Sequence, residues 1–350
     1  MWSGTCTACS PPRPSRSPPA RAERQLSING PVRAATATIA GGALAGSVVL
    51  TLLRLLTPDT YWFVLATSFA PYALPGFVLA ALGFAVLRPG TEPALRRWLA
   101  VVVATSLLGA AFHAVLLAPA YAGGHPSGRP DLVVLNLNLR KGHANAEKAV
   151  ALARTEHAQL VVLEEVTPGE LSRLHAAGIT TTLPYEAGSA GSGGSGTVVF
   201  SAYALGQVAR VPLQHDGYRI AVAAPEPFWL VAVHVAQPLV GPGNWRADWS
   251  VLDQVVPELG AMPVMLVGDF NSTLDHRPVR DLLGDGFADA ARSANSGWQP
   301  TWPSTGLGLI AIDHVLTRAG SGGGYRAIST DTFHVAGSDH RALVARLKAS

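Results

Sequence analysis

The chain has 350 residues, enough for two domains or one large one, with 48% hydrophobic and 14% charged residues. The charge is unevenly spread: residues 1–130 carry ten basic residues against three acids, a balance of +7, and residues 131–350 carry sixteen against twenty, a balance of −4. The basic excess therefore flanks apolar runs, and the acidic remainder offers no electrostatic case for a nucleic-acid binder held by bulk charge.

The chain opens on a Pro-, Ser- and Arg-rich segment holding both cysteines, Cys6 and Cys9. No second Cys/His pair follows at zinc-site spacing, so residues 1–32 read as a disordered, basic, cytoplasmic tail. Three uncharged apolar runs come next, at 34–53, 61–87 and 98–121. A helix needs about 20 apolar residues to cross a hydrocarbon core, so residues 33–121 read as three transmembrane helices. Pro71 and Pro75 are expected to kink the second or make it re-entrant. Arginines precede the first run and separate the second from the third, whereas the connection at 57–60 holds only an acid. The positive-inside rule then places the N-terminus in the cytoplasm and everything beyond residue 121 outside it, in a multi-pass protein of the cell membrane. Residues 122–130 (AGGHPSGRP) read as a short flexible linker.

From Asp131 onward, strand-like apolar runs appear at 132–139, 160–163, 197–200, 219–223, 228–235, 263–267, 309–316 and 343–347. Thr167-Pro-Gly-Glu170 is a capping box opening a helix that Gly178 ends. Asn145 is expected to cap a helix over 146–156, and Asn244 one over 245–259. The stretch AGSAGSGGSG at 187–196 reads as a flexible loop.

The informative feature is where polar residues fall. Asn138 interrupts VVLNLNL, Glu164 and Glu165 follow QLVVL, and His234 sits in FWLVAVHV. Asp269 and Asn271 follow PVMLV as GDFN. Asp313 and His314 interrupt LIAIDHVL, and Asp339 and His340 precede the last run. Each has a bland explanation alone, as a strand-end amide, an Asx turn or a satisfied core histidine. Together they are costly to bury unless a cation or a substrate binds them.

The series Asn, LEEV, strand His, GDFN, IDH and SDH resembles the endonuclease/exonuclease/phosphatase superfamily, in a deoxyribonuclease-like phosphoesterase domain of the bacterial membrane-anchored type. The resemblance covers residues 131–350 and implies a four-layer α/β sandwich, two mixed β-sheets flanked by helices. It implies that Glu165 is the principal metal ligand, supported by Asn138 and Asp339. It further implies that Asp269 orients or deprotonates the attacking water, and that Asn271 and His234 contact the phosphoryl group. His340, polarised by Asp313, would stabilise the transition state or move a proton. Glu164 stands where the family usually has Gln, and SAYAL at 201–205 where SRYPL is common.

Hard oxygen ligands without cysteine point to Mg²⁺ or Mn²⁺. The expected activity is hydrolysis of phosphodiesters or phosphomonoesters by activated water. The substrate is a nucleic acid, a lipid headgroup such as that of sphingomyelin or a phosphoinositide, or a small molecule, and the membrane is a partner; no protein partner is identifiable. A Ser-His-Asp hydrolase is disfavoured, because Ser338, Asp339 and His340 are adjacent and cannot aim at one another. A non-enzymatic binding module would show a broken set of these residues, and the set is complete.

Overall fold

The computed structural model describes residues 1, 30–58, 60–124, 127–239 and 241–350. The tail carrying Cys6 and Cys9 lies outside them. Four helices come first: α1 (Gly30–Leu56), α2 (Tyr61–Thr67), α3 (Ala73–Leu87) and α4 (Pro93–Leu117). Three helical segments among the described residues are long and apolar enough to cross a membrane, at Gly30–Leu56, Ala70–Leu87 and Pro93–Ala120. The run expected as one kinked span is therefore two pieces. Pro71 starts a 3₁₀ turn over Ala70–Tyr72 and Pro75 lies in the first turn of α3. There the missing amide hydrogen costs no helical bond, so the prolines begin helices and do not kink one. Helix α3 packs between α1 and α4.

Twelve strands follow in two six-stranded sheets. The first has the order β11 (Tyr325–His334), β12 (Arg341–Ala349), β1 (Leu132–Asn138), β2 (Leu160–Glu164), β4 (Gly196–Ser201), β3 (Tyr185–Ala190). The second runs β5 (Leu205–Val211), β6 (Gly217–Val222), β7 (Phe228–His234), β8 (Val264–Asp269), β10 (Asp313–Arg318), β9 (Ala288–Asp289). Each sheet has one parallel pair at its centre, β1 with β2 and β7 with β8. Helix α5 (Ala146–Thr155) makes the first crossover and α7 (Pro242–Val255) the second. Helices α6 (Pro168–Ala176), α8 (Arg277–Gly284) and α9 (Ala290–Ser293) complete the fold.

Side chains alternate across a strand, and this sorts the core into layers. Leu132 and Val134 of β1, Leu160 and Val162 of β2, Leu230 and Ala232 of β7, and Met265 and Val267 of β8 fill the space between the sheets. Val133, Leu135 and Leu137 instead pack against α5. Leu266 and Val231 pack toward α7 and α8. The architecture is thus helix, sheet, sheet, helix.

Three local expectations are corrected. Residues 309–312 are not part of β10, which begins at Asp313; Ile310 only bridges Trp302. Helix α7 is capped by Gly241 and opens on Pro242, so Asn244 lies within it. The Gly- and Ser-rich stretch 187–196 begins inside an edge strand, β3, whose backbone pairs with β4 although its side chains are small. Two hydrogen bonds join the sandwich to the end of the bundle and the start of the linker. Ala120 accepts a hydrogen bond from the Gly297 amide (2.9 Å) and Gly124 one from the Asn295 side chain (3.1 Å).

Candidate active site

The alternation that lays Leu132 and Val134 between the sheets also places Asn136 and Asn138 there, one and two steps further along β1. The same parity carries β2 to Glu164, β7 to His234 and β8 to Asp269, while Asp313 opens β10 on the face that Val315 continues. The register sets these residues side by side. Asn138 pairs with Glu164 in the first sheet. In the second, Asp269 pairs with His234 on one side and Asp313 on the other. One layer of the protein is therefore aliphatic at one end and ionisable at the other.

Gly268 makes the approach possible. Its φ is 148°, and a Cβ there would overlap the Val233 carbonyl oxygen. Only glycine lets β8 lie this close to β7, which holds Asp269 beside His234. Glu165 (φ 55°), Asn271 (φ 44°), Arg140 (φ 49°) and Lys141 (φ 55°) all adopt left-handed backbone around the same end. Such conformations cost energy in non-glycine residues and gather at sites where side-chain aim matters.

Asp269 is the hub. Its carboxylate accepts from Asn138 Nδ2 (3.2 Å) and from the Asn271 amide (2.8 Å). His340 Nε2 stands 3.7 Å from it and His234 Nε2 3.8 Å. His340 Nδ1 bonds Asp313 Oδ2 at 2.9 Å. Asn138 Nδ2 also reaches Glu165 Oε1 at 3.4 Å, and His234 Nε2 lies 3.9 Å from that oxygen. The Asn271 side chain donates to the Val235 carbonyl (2.8 Å) and so holds the loop after β8. Asp339 stands apart. It lines the same cleft as Glu165, Asp269, Asn271 and His340, but its carboxylate is half exposed at the rim, 4.0 Å from Arg140.

Burial pushes the Asp269 carboxyl up to about 7; the His340 cation opposes this and the Asp313 charge adds to it. For His340, burial disfavours the cation, but Asp313 and Asp269 outweigh it and hold the imidazole at about 10. His234 is driven well below the ordinary histidine range by burial, then by His215 and His340, so it is neutral. Glu164 is raised well above the carboxylate range by burial, and further by Asp313 and Asp269. It accepts from Asn136 Nδ2 at 2.5 Å, and its other oxygen has no partner. A protonated Glu164 presents one donor and one acceptor, as an amide does, which accounts for a glutamate where the family usually has glutamine.

Several supporting residues carry no motif. Thr301 Oγ1 accepts from the amides of Ile312 (3.1 Å) and Asp313 (3.2 Å), and its carbonyl accepts from Arg341 (2.7 Å), joining the two histidine motifs. Ser338 Oγ donates to the Asn138 carbonyl (2.7 Å) and accepts from the His340 amide (2.9 Å). His215 stacks on His234 with centroids 4.5 Å apart. His314 is tied at both ring nitrogens, to Asp289 (3.2 Å) and the Ser272 carbonyl (2.9 Å), and braces the GDFN loop.

The donor set suits a hard divalent cation. Both ring nitrogens of His234 and one oxygen each of Glu164 and Asp313 are buried without a partner. Asp269, Asp313 and, in its deprotonated form, His340 each offer an atom within 4.8 Å of the others. Buried carboxylates this close need compensating positive charge.

No curated protein sequence matches the chain. Among solved structures, it is similar to humanized D. rerio TDP2 carrying 14 mutations, at 14% identity and a TM-score of 0.53, over 62% of this chain and 98% of that one. It is also similar to an endonuclease/exonuclease/phosphatase from Beutenbergia cavernae DSM 12333, at 20% identity and a TM-score of 0.53, over 63% of this chain and 72% of that one. At these identities the likeness is one of fold. The sequence model of the Endonuclease/Exonuclease/phosphatase family matches residues 135–340, from the middle of β1 to His340. With more than half of its length matched, and every ionisable group described above at the matched end of the two sheets, this chain belongs to the endonuclease/exonuclease/phosphatase family.

Proposed function

We propose that the protein is a membrane-anchored, metal-dependent phosphoesterase whose catalytic domain lies outside the cytoplasm. The observation that carries this reading is the buried series Asp269, His340, Asp313, with separations of 3.7 and 2.9 Å, and Asn138 between Asp269 (3.2 Å) and Glu165 (3.4 Å). Glu165, Asn138 and Asp339 are the residues that would hold Mg²⁺ or Mn²⁺. The ion supplies positive charge to the phosphoryl oxygens and to these carboxylates.

The chain's own groups account for the rest of the reaction. Asp269 orients the attacking water and takes its proton. The water oxygen forms a bond to phosphorus as the bond from phosphorus to the ester oxygen breaks. Asn271 and His234 contact the phosphoryl oxygens. His340, kept cationic by Asp313, balances their charge and can return a proton to the departing oxygen. The three apolar spans and the arginine asymmetry support the anchoring and its orientation.

The test is hydrolysis of bis(p-nitrophenyl) phosphate by the full chain in detergent. Turnover should vanish in excess chelator and return with Mg²⁺ or Mn²⁺. Asp269→Asn and His340→Ala should each lower kcat by roughly 10²–10⁴, with the circular dichroism unchanged. Full activity in chelator, or near-normal kcat in either folded variant, overturns the mechanism.

A further inference from the structure

The cleft over Asp269 and His340 has a volume of about 330 Å³, and the sandwich does not supply all of its walls. Leu65, Ser68 and Phe69, on and just after α2, line it together with Glu165, Asn271 and Asp339. Helix α2 is anchored there. Val64 is buried in the core between the second sheet and α7. Its carbonyl accepts from His276 Nε2 (2.9 Å), Arg54 at the end of α1 pairs with Asp275 (2.6 Å), and the Tyr72 hydroxyl donates to the Leu309 carbonyl (2.9 Å). Trp62 and Phe63, on the other side of α2, are exposed. The segment is therefore a fixed wall between the spans and the catalytic groups.

The rim on this side is apolar. Phe69 and Leu239, in the cleft wall, are exposed, as are Tyr72, Trp298 and Leu309 beyond Phe69, and Tyr72 meets Trp298 edge to face at 6.4 Å. These residues lie where α1 ends and α3 begins, at the level of the lipid headgroups if the helices span a bilayer. Exposed Trp and Tyr at that level form the interfacial belt that membrane proteins use. Asp339, which lines the cleft, has the exposed Arg140 at 4.0 Å, and Lys141, next in the chain, is exposed as well. A nucleic-acid site would surround its phosphates with basic side chains. An apolar wall with a single arginine at the cleft's acidic rim instead matches an anion joined to a hydrocarbon chain.

We propose that this cleft takes a phosphoester lipid from the leaflet in which it sits. The phosphoester rests at Asp269 and His340, and the first methylenes of the chain lie along Leu65, Phe69 and Leu239. This rests on the phosphoesterase reading above and names the substrate class. In the reaction, the P–O bond to one of the lipid's two alcohols is replaced by a P–O bond to the water oxygen, and the water's proton ends on the departing alcohol.

The test uses the full chain in vesicles of equal parts phosphatidylcholine, phosphatidylglycerol, phosphatidylinositol and sphingomyelin with Mg²⁺. Lipid cleavage is compared with hydrolysis of bis(p-nitrophenyl) phosphate and of a single-stranded oligonucleotide. The wild type should cleave lipid faster than oligonucleotide. Phe69→Gln should lower the ratio of lipid to soluble-diester turnover by roughly tenfold or more, the worth of one buried aromatic contact. Leu239→Gln, in the cleft wall but too exposed to affect folding, should lower the same ratio by about threefold. Soluble-diester turnover without lipid cleavage, or a ratio unchanged in both variants, overturns this inference alone. Loss of turnover on every substrate overturns the phosphoesterase reading with it.

Discussion

In the sandwich, buried positions are filled by large side chains, Phe200, Phe228, Leu135 and Leu163 among them, whereas those buried in the helical bundle include Ala40, Ser47, Ala80, Ala81, Ser106 and Ala110. The bundle turns Ile39, Val49, Leu52, Leu82, Leu108 and Val115 outward. In water each such exposed side chain forgoes roughly 1.5–3 kcal/mol of burial. In lipid it forgoes almost none, and what then joins helices is close backbone approach over small residues. A Cβ on Gly83 would come within 2.7 Å of the Ala40 Cβ, which shows how tightly α3 lies on α1. On the proposed anchoring, the two regions would solve the same packing problem in different solvents. Helix α2 belongs to both, with Val64 in the sandwich's core and Trp62 facing out.

The comparison can be broken most sharply in the sandwich. Phe200→Ala removes a fully buried ring and should cost about 3–5 kcal/mol, read from urea unfolding of the full chain in detergent. A loss below about 1 kcal/mol would mean that this core is not what holds the sheets. A smaller effect, about 1–3 kcal/mol, is expected for Gly83→Leu, because added bulk must separate α1 from α3. Leu82→Ala, one position away and exposed, should stay within about 0.5 kcal/mol in detergent. Equal effects at 82 and 83 would remove the inside-out reading of the bundle.

The smallest expected effect concerns the seam between the regions. His276 accepts from the Thr273 amide at Nδ1 (2.9 Å), so Nε2 carries the proton given to Val64. Burial holds its pKa below the ordinary 6.5. Between the two values the undocked state binds more protons, so docking weakens as pH falls below about 6.5, by at most about 1.4 kcal/mol per pH unit. Above that pH this group contributes no further change. Amide exchange over residues 64–68 should therefore be faster near pH 5.5 than pH 7.5 after correction for intrinsic rates. His276→Gln should flatten that dependence, and a wild type already flat would show that the ring does not hold α2.

The central strands were legible because β1, β2, β7 and β8 are buried on both faces and read as near-continuous apolar runs. The polar interruptions in those runs, Asn138, His234 and Asp269, were visible for the same reason. Edge strands were not: β3 (YEAGSA) and β5 (LGQVARV) are largely exposed, and β11 (YRAISTDTFH) scatters its apolar residues among polar ones without a run. Thr301 and His215 were illegible because they act through partners distant in the chain. So was α2, since nothing within YWFVLAT distinguishes a helix that crosses a bilayer from one that lies against a neighbouring domain.

Among the described residues, the sandwich meets the bundle in several places, including Arg54 with Asp275, Val64 with His276, Tyr72 with Leu309, and Ala120 with Gly297. Three points that are not in line are enough to fix one rigid body on another. The mouth of the cleft then keeps a constant angle to the axes of α1, α3 and α4. Spans lean further when the bilayer thins and straighten when it thickens. Bilayer thickness would thereby set the angle at which the cleft meets the leaflet, and the lipid itself would regulate access without binding anywhere else.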